Sequence, residues 1–191
     1  MPVRILALAG SARRDSLNKK LVQVAAKAVT AEGAEVTLID LNDYPMPLYH
    51  GDLEAKEGVP VDARRLRRLV ADHQGLLIAS PENNASVAAV LKNALDWVSR
   101  PTDGQNGLAP YHGKVAALLA ASPGAYGGLR GLVHLRQILQ ALGVLVLTEQ
   151  VAVGRAHELF SREGALTDVK LQASVLGLVR RLVSVTARLA A

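Results

Sequence analysis

Val3-Arg4-Ile5-Leu6-Ala7-Leu8-Ala9-Gly10-Ser11-Ala12-Arg13-Arg14-Asp15-Ser16-Leu17-Asn18 joins a short apolar run to a polar loop led by glycine. Apart from Arg4, residues 3–9 are continuously apolar rather than alternating, the pattern of a strand covered on both faces. A secretory leader would carry a longer apolar run behind several positive charges. Here only Arg4 interrupts a short run that turns polar at Gly10-Ser11, so a buried strand is expected. The loop behind it is rich in donors. Ser16 can cap a following helix, whose unpaired amides and positive dipole end would then face the loop. Gly10 permits a tight turn, and Ser11, Arg13, Ser16 and Asn18 add hydrogen-bonding groups around Leu17. Four such groups behind the first strand favour a terminal phosphate over an ordinary capped turn. The three-glycine dinucleotide fingerprint and the Walker lysine loop are both absent.

Working outward, four more apolar runs recur at 35–39, 75–79, 115–121 and 144–147. Helix-period segments follow at 17–32, 62–73, 86–98 and 129–142, with a last one at 166–189; Val87, Val90, Leu91, Ala94, Leu95 and Val98 show the three-and-four spacing. Strand–helix alternation predicts right-handed crossovers and a doubly wound, five-stranded parallel sheet in a three-layer α/β/α fold. No linker or repeat divides residues 1–191, so a single domain is expected. Two loops, 42–60 and 100–113, are longer than connection requires and are candidates for covering a ligand.

Two further motifs fall at strand ends. Ser80-Pro81-Glu82-Asn83-Asn84-Ala85-Ser86 follows the third run. Pro81 cannot donate to a ladder, so the strand must end there, with Ser86 as the expected cap of the next helix. Backbone amides and Asn84 could serve a flat heterocycle. Ser122-Pro123-Gly124-Ala125-Tyr126-Gly127-Gly128 follows the fourth run, and its glycines would let backbone approach a planar ligand. Singly, each reads as a loop. Together they mark the carboxyl edge of the sheet, where doubly wound folds bind ligands.

Composition narrows the function. The chain has no cysteine, which excludes disulfides and thiolate chemistry and fits a cytoplasmic setting. Lys plus Arg number 22 against 17 Asp plus Glu, a formal charge of +5 that suits an anionic ligand. One Trp, four Tyr and one Phe are too few for base-stacking platforms, so no nucleic-acid partner is expected. Arg64, Arg65, Arg67 and Arg68 read as a solvated helix face, and no apolar stretch is long enough for a membrane span. His50, His73, His112, His134 and His157 lack metal-ligand spacing, so no metal is expected and surface or interface places are assigned to all five. No nucleophile elbow or acid–base dyad appears, and no catalytic side chain is named. Wide apolar faces on 86–98 and the last helix suggest self-association.

These residues resemble the NADPH-dependent FMN reductase family, which has the flavodoxin-like fold and includes quinone, azo and chromate reductases. Gly10-Ser11-Ala12-Arg13 with Ser16 and Asn18 is similar to the family's phosphate loop. Pro81-Glu82-Asn83-Asn84 stands where the family usually has Pro-Glu-Tyr-Asn. Leu91-Lys92-Asn93-Ala94-Leu95-Asp96-Trp97, Pro47-Leu48-Tyr49, Gly127-Gly128 and His134-Leu135-Arg136-Gln137 follow in the family's order. Asn83 replaces the usual tyrosine, and Ala85 a position often aromatic. The resemblance implies noncovalent FMN, NADPH or NADH as co-substrate, and a dimer or tetramer. It also implies ping-pong transfer to a quinone, azo compound, free flavin or metal oxyanion. The expected cofactor contacts are Gly10, Ser11, Arg13, Ser16, Leu17, Asn18, Pro81, Glu82, Asn83, Asn84, Ser122, Gly124, Gly127 and Gly128. A flavodoxin-type electron carrier and a non-catalytic FMN-binding protein are the rival readings.

Overall fold

In the computed structural model, which describes residues 2–190, the apolar runs become a parallel sheet. The chain runs β1 (Arg4–Ala9), α1 (Leu17–Ala31), β2 (Glu35–Asp40), α2 (Gly51–Glu57), α3 (Val61–Asp72) and β3 (Gly75–Ala79). Two short strands, β4 (Glu82–Asn83) and β5 (Ser86–Val87), precede α4 (Ala89–Val98), β6 (Val115–Ala121), α5 (Leu129–Ala141), β7 (Leu145–Val153) and α6 (Val169–Leu189). The main sheet has the order β2-β1-β3-β6-β7, with every pairing parallel. The chain winds outward from β1 in both directions, which puts the switch point between β1 and β3. All five carboxyl ends therefore lie along one edge.

The absence of alternation in the apolar runs has a direct cause. Ile5, Ala7 and Ala9 pack with α1 and α6, while Leu6 and Leu8 pack with α3, α4 and α5. In β6 the odd residues from Val115 to Ala121 face the first layer, the even ones face the second, and all seven are buried. Both pleat faces need apolar side chains, so period two disappears from the sequence.

Several boundaries differ from the sequence reading. Residues 86–87 do not begin a helix. Ser86 pairs with Asn83, and Val87 with Glu82, in a hairpin turned by Asn84 (φ 50) and Ala85 (φ 62). Two consecutive positive φ values define a type I′ turn, which Asn tolerates and Ala strains. Helix α4 starts at Ala89 without a side-chain cap, and Ser86 Oγ instead lies 2.9 Å from His134 Nδ1. Asp168, accepting from the Leu171 amide, starts α6 three residues after the predicted 166. Strand β7 runs on to Val153 because the pairing shifts register opposite Ala116–Leu118. There Arg136 donates to the carbonyls of Val146 and Leu147 and to Gln150 Oε1 at 3.4, 2.6 and 3.1 Å. The 42–60 loop contains α2, whose seven residues the period test missed.

Two polar assignments are also corrected. Arg67 is buried, not solvated: its guanidinium donates to the carbonyls of Val98, Gly107 and Asn106 at 2.8, 2.9 and 2.7 Å. It thereby ties the 100–113 loop to the end of α4, where helix carbonyls lack partners. His73 is buried at the end of α3, with Nδ1 2.6 Å from the Leu69 carbonyl and Nε2 2.7 Å from Thr37 Oγ1. The predicted faces of α4 and α6 go largely into the chain's own core: Leu91, Ala94, Leu95, Trp97, Val175, Leu178, Val179 and Leu182 are all buried. Among the described residues no helix is long and apolar enough to cross a membrane.

Candidate functional site

The loops after β1, β3 and β6 enclose a cleft of about 410 Å³ at the carboxyl edge. Gly10, Ser11, Arg13, Ser16, Leu17 and Asn18 line one side, and Pro81, Glu82, Asn83 and Ser122 line another. Ser16 Oγ accepts from the Asn18 amide at 3.2 Å and caps α1 as the sequence predicted. The first turn of α1 has no acidic residue, so its dipole end is not neutralised from within the helix. Ser11 Oγ accepts from the Arg13 amide at 3.3 Å, and the Asn42 side chain holds the Ala12 carbonyl at 2.8 Å. The Arg13 side chain is exposed and makes no ion pair among the described residues. A helix N-terminus, two hydroxyls and a cation without a counter-charge form a donor set suited to a phosphate dianion. Pro81, Ala88, Ala89, Val90 and Pro123 make the rest of the lining apolar. The cleft therefore fits a ligand with a phosphate at one end and a flat apolar body at the other, as FMN has.

The expected contacts do not all share this cleft. Asn84, Gly124, Gly127 and Gly128 line an adjoining cavity of about 350 Å³, together with Ala85, Tyr126 and Arg130. Glu82 and Ser122 are common to both walls. Ser122 Oγ accepts from the Gly124 amide at 3.1 Å, and a Cβ on Gly124 would meet nothing closer than that oxygen at 3.5 Å.

Other expected contacts have their own structural tasks. The Asn18 side chain donates to the Ala121 carbonyl and accepts from the Ala121 amide, both at 2.9 Å, and so fastens the phosphate loop to the end of β6. Glu82 accepts from the Arg130 and Gly131 amides at 3.0 and 3.2 Å and from Arg130 Nε at 2.7 Å. It caps α5 from another loop. Burial alone would push the Glu82 carboxyl up, but these bonds outweigh it and hold it below the usual carboxylate range. The glycines are explained by protein contacts. A Cβ on Gly10 would sit 2.8 Å from Leu91 Cδ2, and one on Gly127 (φ +62) would sit 2.6 Å from the Val153 backbone. Gly128 (φ +89) would strike Ala120 Cβ at 2.8 Å. Close backbone approach is real at these positions, and the partner is the fold itself.

The remaining motifs also acquire roles. Asn93 accepts from the Tyr49 amide and donates to the Pro47 carbonyl, which Trp97 Nε1 also reaches at 2.7 Å. Helix α4 thus clamps the 42–60 loop. Arg130 and Tyr126 line the adjoining cavity but are not among the contacts expected from the sequence. The partner of Arg130 is 48 positions away, so no sequence window contains the pair.

A sheet of this order, with a phosphate-type loop at its switch point, defines a flavodoxin-like α/β protein with a mononucleotide site. Comparison with known proteins narrows the class. The family model described as NADPH-dependent FMN reductase matches residues 3–158. An NAD(P)H-dependent FMN reductase of Pseudomonas aeruginosa is 38% identical over 169 residues, covering 88% of this chain and 86% of the relative. A quinone reductase of Escherichia coli is 34% identical over 152 residues, covering 80% and 77% respectively. Among solved structures, a flavoenzyme NAD(P)H:(acceptor) oxidoreductase of Paracoccus denitrificans superposes with a TM-score of 0.82 at 29% identity, covering 97% of this chain and 98% of that one. The chain belongs to the NADPH-dependent FMN reductase family and is an oxidoreductase with FMN as its cofactor.

Proposed function

We propose that the chain, acting as one FMN-binding domain, transfers reducing equivalents from NADPH or NADH to a small acceptor. Candidate acceptors are a quinone, an azo compound, free flavin or a metal oxyanion. The observation that carries this reading is the cleft at the switch point, with its phosphate-type donor set at one end and apolar wall at the other. FMN held there would supply the hydride chemistry that the side chains lack. The residues bind and orient. Ser11, Arg13, Ser16 and the first amides of α1 would hold the phosphate, while Asn18 keeps that loop against β6. Pro81, Ala88 and Val90 would exclude water from one side of the ring. Asn84 and the amides around Gly124 would offer donors where negative charge grows on reduction.

Steady-state assay tests this reading. FMN-loaded protein should consume NADPH or NADH beyond one equivalent of bound flavin only when a quinone or another of these acceptors is supplied, and apoprotein should be inactive. Loaded protein that consumes neither nucleotide with any acceptor class would leave the non-catalytic reading in place. The charge of +5 stands against an electron carrier, a role the flavodoxin family fills with acidic proteins.

We also propose self-association, with cytoplasmic residence. Leu129 and Val133 remain exposed one turn apart on α5, although most of the apolar surface first assigned to an interface is internal. Light scattering at micromolar concentration should report a dimer or tetramer; a monomer would contradict this.

A further inference from the structure

The phosphate cleft has no aromatic side chain in its lining, and the adjoining cavity has one, Tyr126. The hairpin that borders both, residues 82–87, contains no aromatic residue. Most of the other aromatics are engaged elsewhere. Trp97 and Tyr111 are fully buried, Tyr49 packs edge-on to Trp97, and Phe160 lies against the α1/α6 side of the core. Tyr126 is 70% exposed, which is unusual for a large ring in a protein with so few.

Its surroundings hold it in place. The Tyr126 carbonyl accepts from the Leu129 amide at 3.0 Å, and the next residue, Gly127, donates to Gly124 at 3.2 Å. Gly127 also lies against the Val153–Gly154 backbone so closely that a Cβ there would clash. Arg130 places its guanidinium 5.6 Å from the ring centroid, and Glu82 in turn fixes Arg130. A cation at this distance favours one placement of the ring, most of whose surface stays exposed. A ring that is placed in advance and largely exposed is suited to stacking on a flat heterocycle.

We infer that Tyr126 is the aromatic wall of the flavin-ring subsite, with Arg130 as the positioning residue behind it. The inference rests on the FMN reading above and draws on the loop after β6 for the one aromatic residue that lines either cavity. The Glu82–Arg130–Tyr126 chain then has a function in the site as well as capping α5.

The test titrates wild type, Tyr126→Phe and Tyr126→Leu with FMN and with riboflavin, reading both affinity and the emission of bound flavin. Leucine keeps apolar area but removes the π-face, so Tyr126→Leu should weaken both flavins about 2- to 13-fold and brighten the bound flavin. Tyr126→Phe should keep wild-type affinity for both flavins but brighten the bound flavin, because its ring stacks without the electron-donating phenol. If Tyr126→Leu binds both flavins with unchanged affinity and quenching, the inference is overturned and the FMN site stands. A loss confined to FMN would also overturn it, since the ring is common to both ligands. Wild type that takes up neither flavin would instead overturn the FMN reading.

Discussion

Replacing Arg13 with alanine is expected to weaken FMN binding about 10- to 150-fold while leaving riboflavin binding nearly unchanged. Arg13 is the cation on the β1–α1 loop that lines the cleft, and its guanidinium has no ion-pair partner among the described residues. A charge-assisted bond to a phosphate is worth about 1.5–3 kcal/mol, which gives that range. Because the side chain is exposed, its loss should hardly disturb folding. Riboflavin shares the ring and ribityl chain but lacks the phosphate, so the pair of titrations isolates the contact. Equal losses for both ligands would show that Arg13 acts by shaping the loop.

Asn18→Ala should have the largest effect on stability, a loss of about 2–6 kcal/mol in urea denaturation. The side chain is buried and makes two 2.9 Å bonds to the backbone of Ala121, itself buried. Alanine would leave one amide and one carbonyl without partners inside the protein, each costing about 1–3 kcal/mol. The same change unfastens the phosphate loop from β6, so FMN affinity should fall as well. A loss below about 1 kcal/mol would mean that water enters and replaces both bonds. Asn18 was first read as a donor to phosphate; the structure gives it to the scaffold that holds the phosphate loop.

That reassignment shows what the sequence could and could not carry. The β1–loop–α1 unit was legible because its signals are local: a buried run, a glycine, then Ser16 two residues before the amide that it caps. The layer architecture was legible because β1, β3 and β6 are continuously apolar apart from Arg4, and β7 opens on an apolar run. Features that depend on distant partners were not legible. Arg67 looks solvated among three other arginines until the 100–113 loop closes over it. The capping carboxylate of α5 comes from Glu82, on the far side of α4 in sequence. The hairpin at 82–87 was hidden because Val87 falls in step with the helical spacing of α4. Gly10 was read as a turn and the glycines after β6 as giving backbone access to a planar ligand, whereas the close neighbours of Gly10, Gly127 and Gly128 are Leu91, Val153 and Ala120, set by tertiary packing.

The central claim is that this cleft holds FMN within reach of a nicotinamide, and the visible spectrum under anaerobic conditions tests it directly. Purified or reconstituted protein should show flavin absorption, heat should release FMN rather than FAD, and NADPH or NADH alone should bleach the bound flavin. Adding a quinone should restore the oxidised spectrum. Protein that holds FMN but stays yellow with both nucleotides would contradict the account.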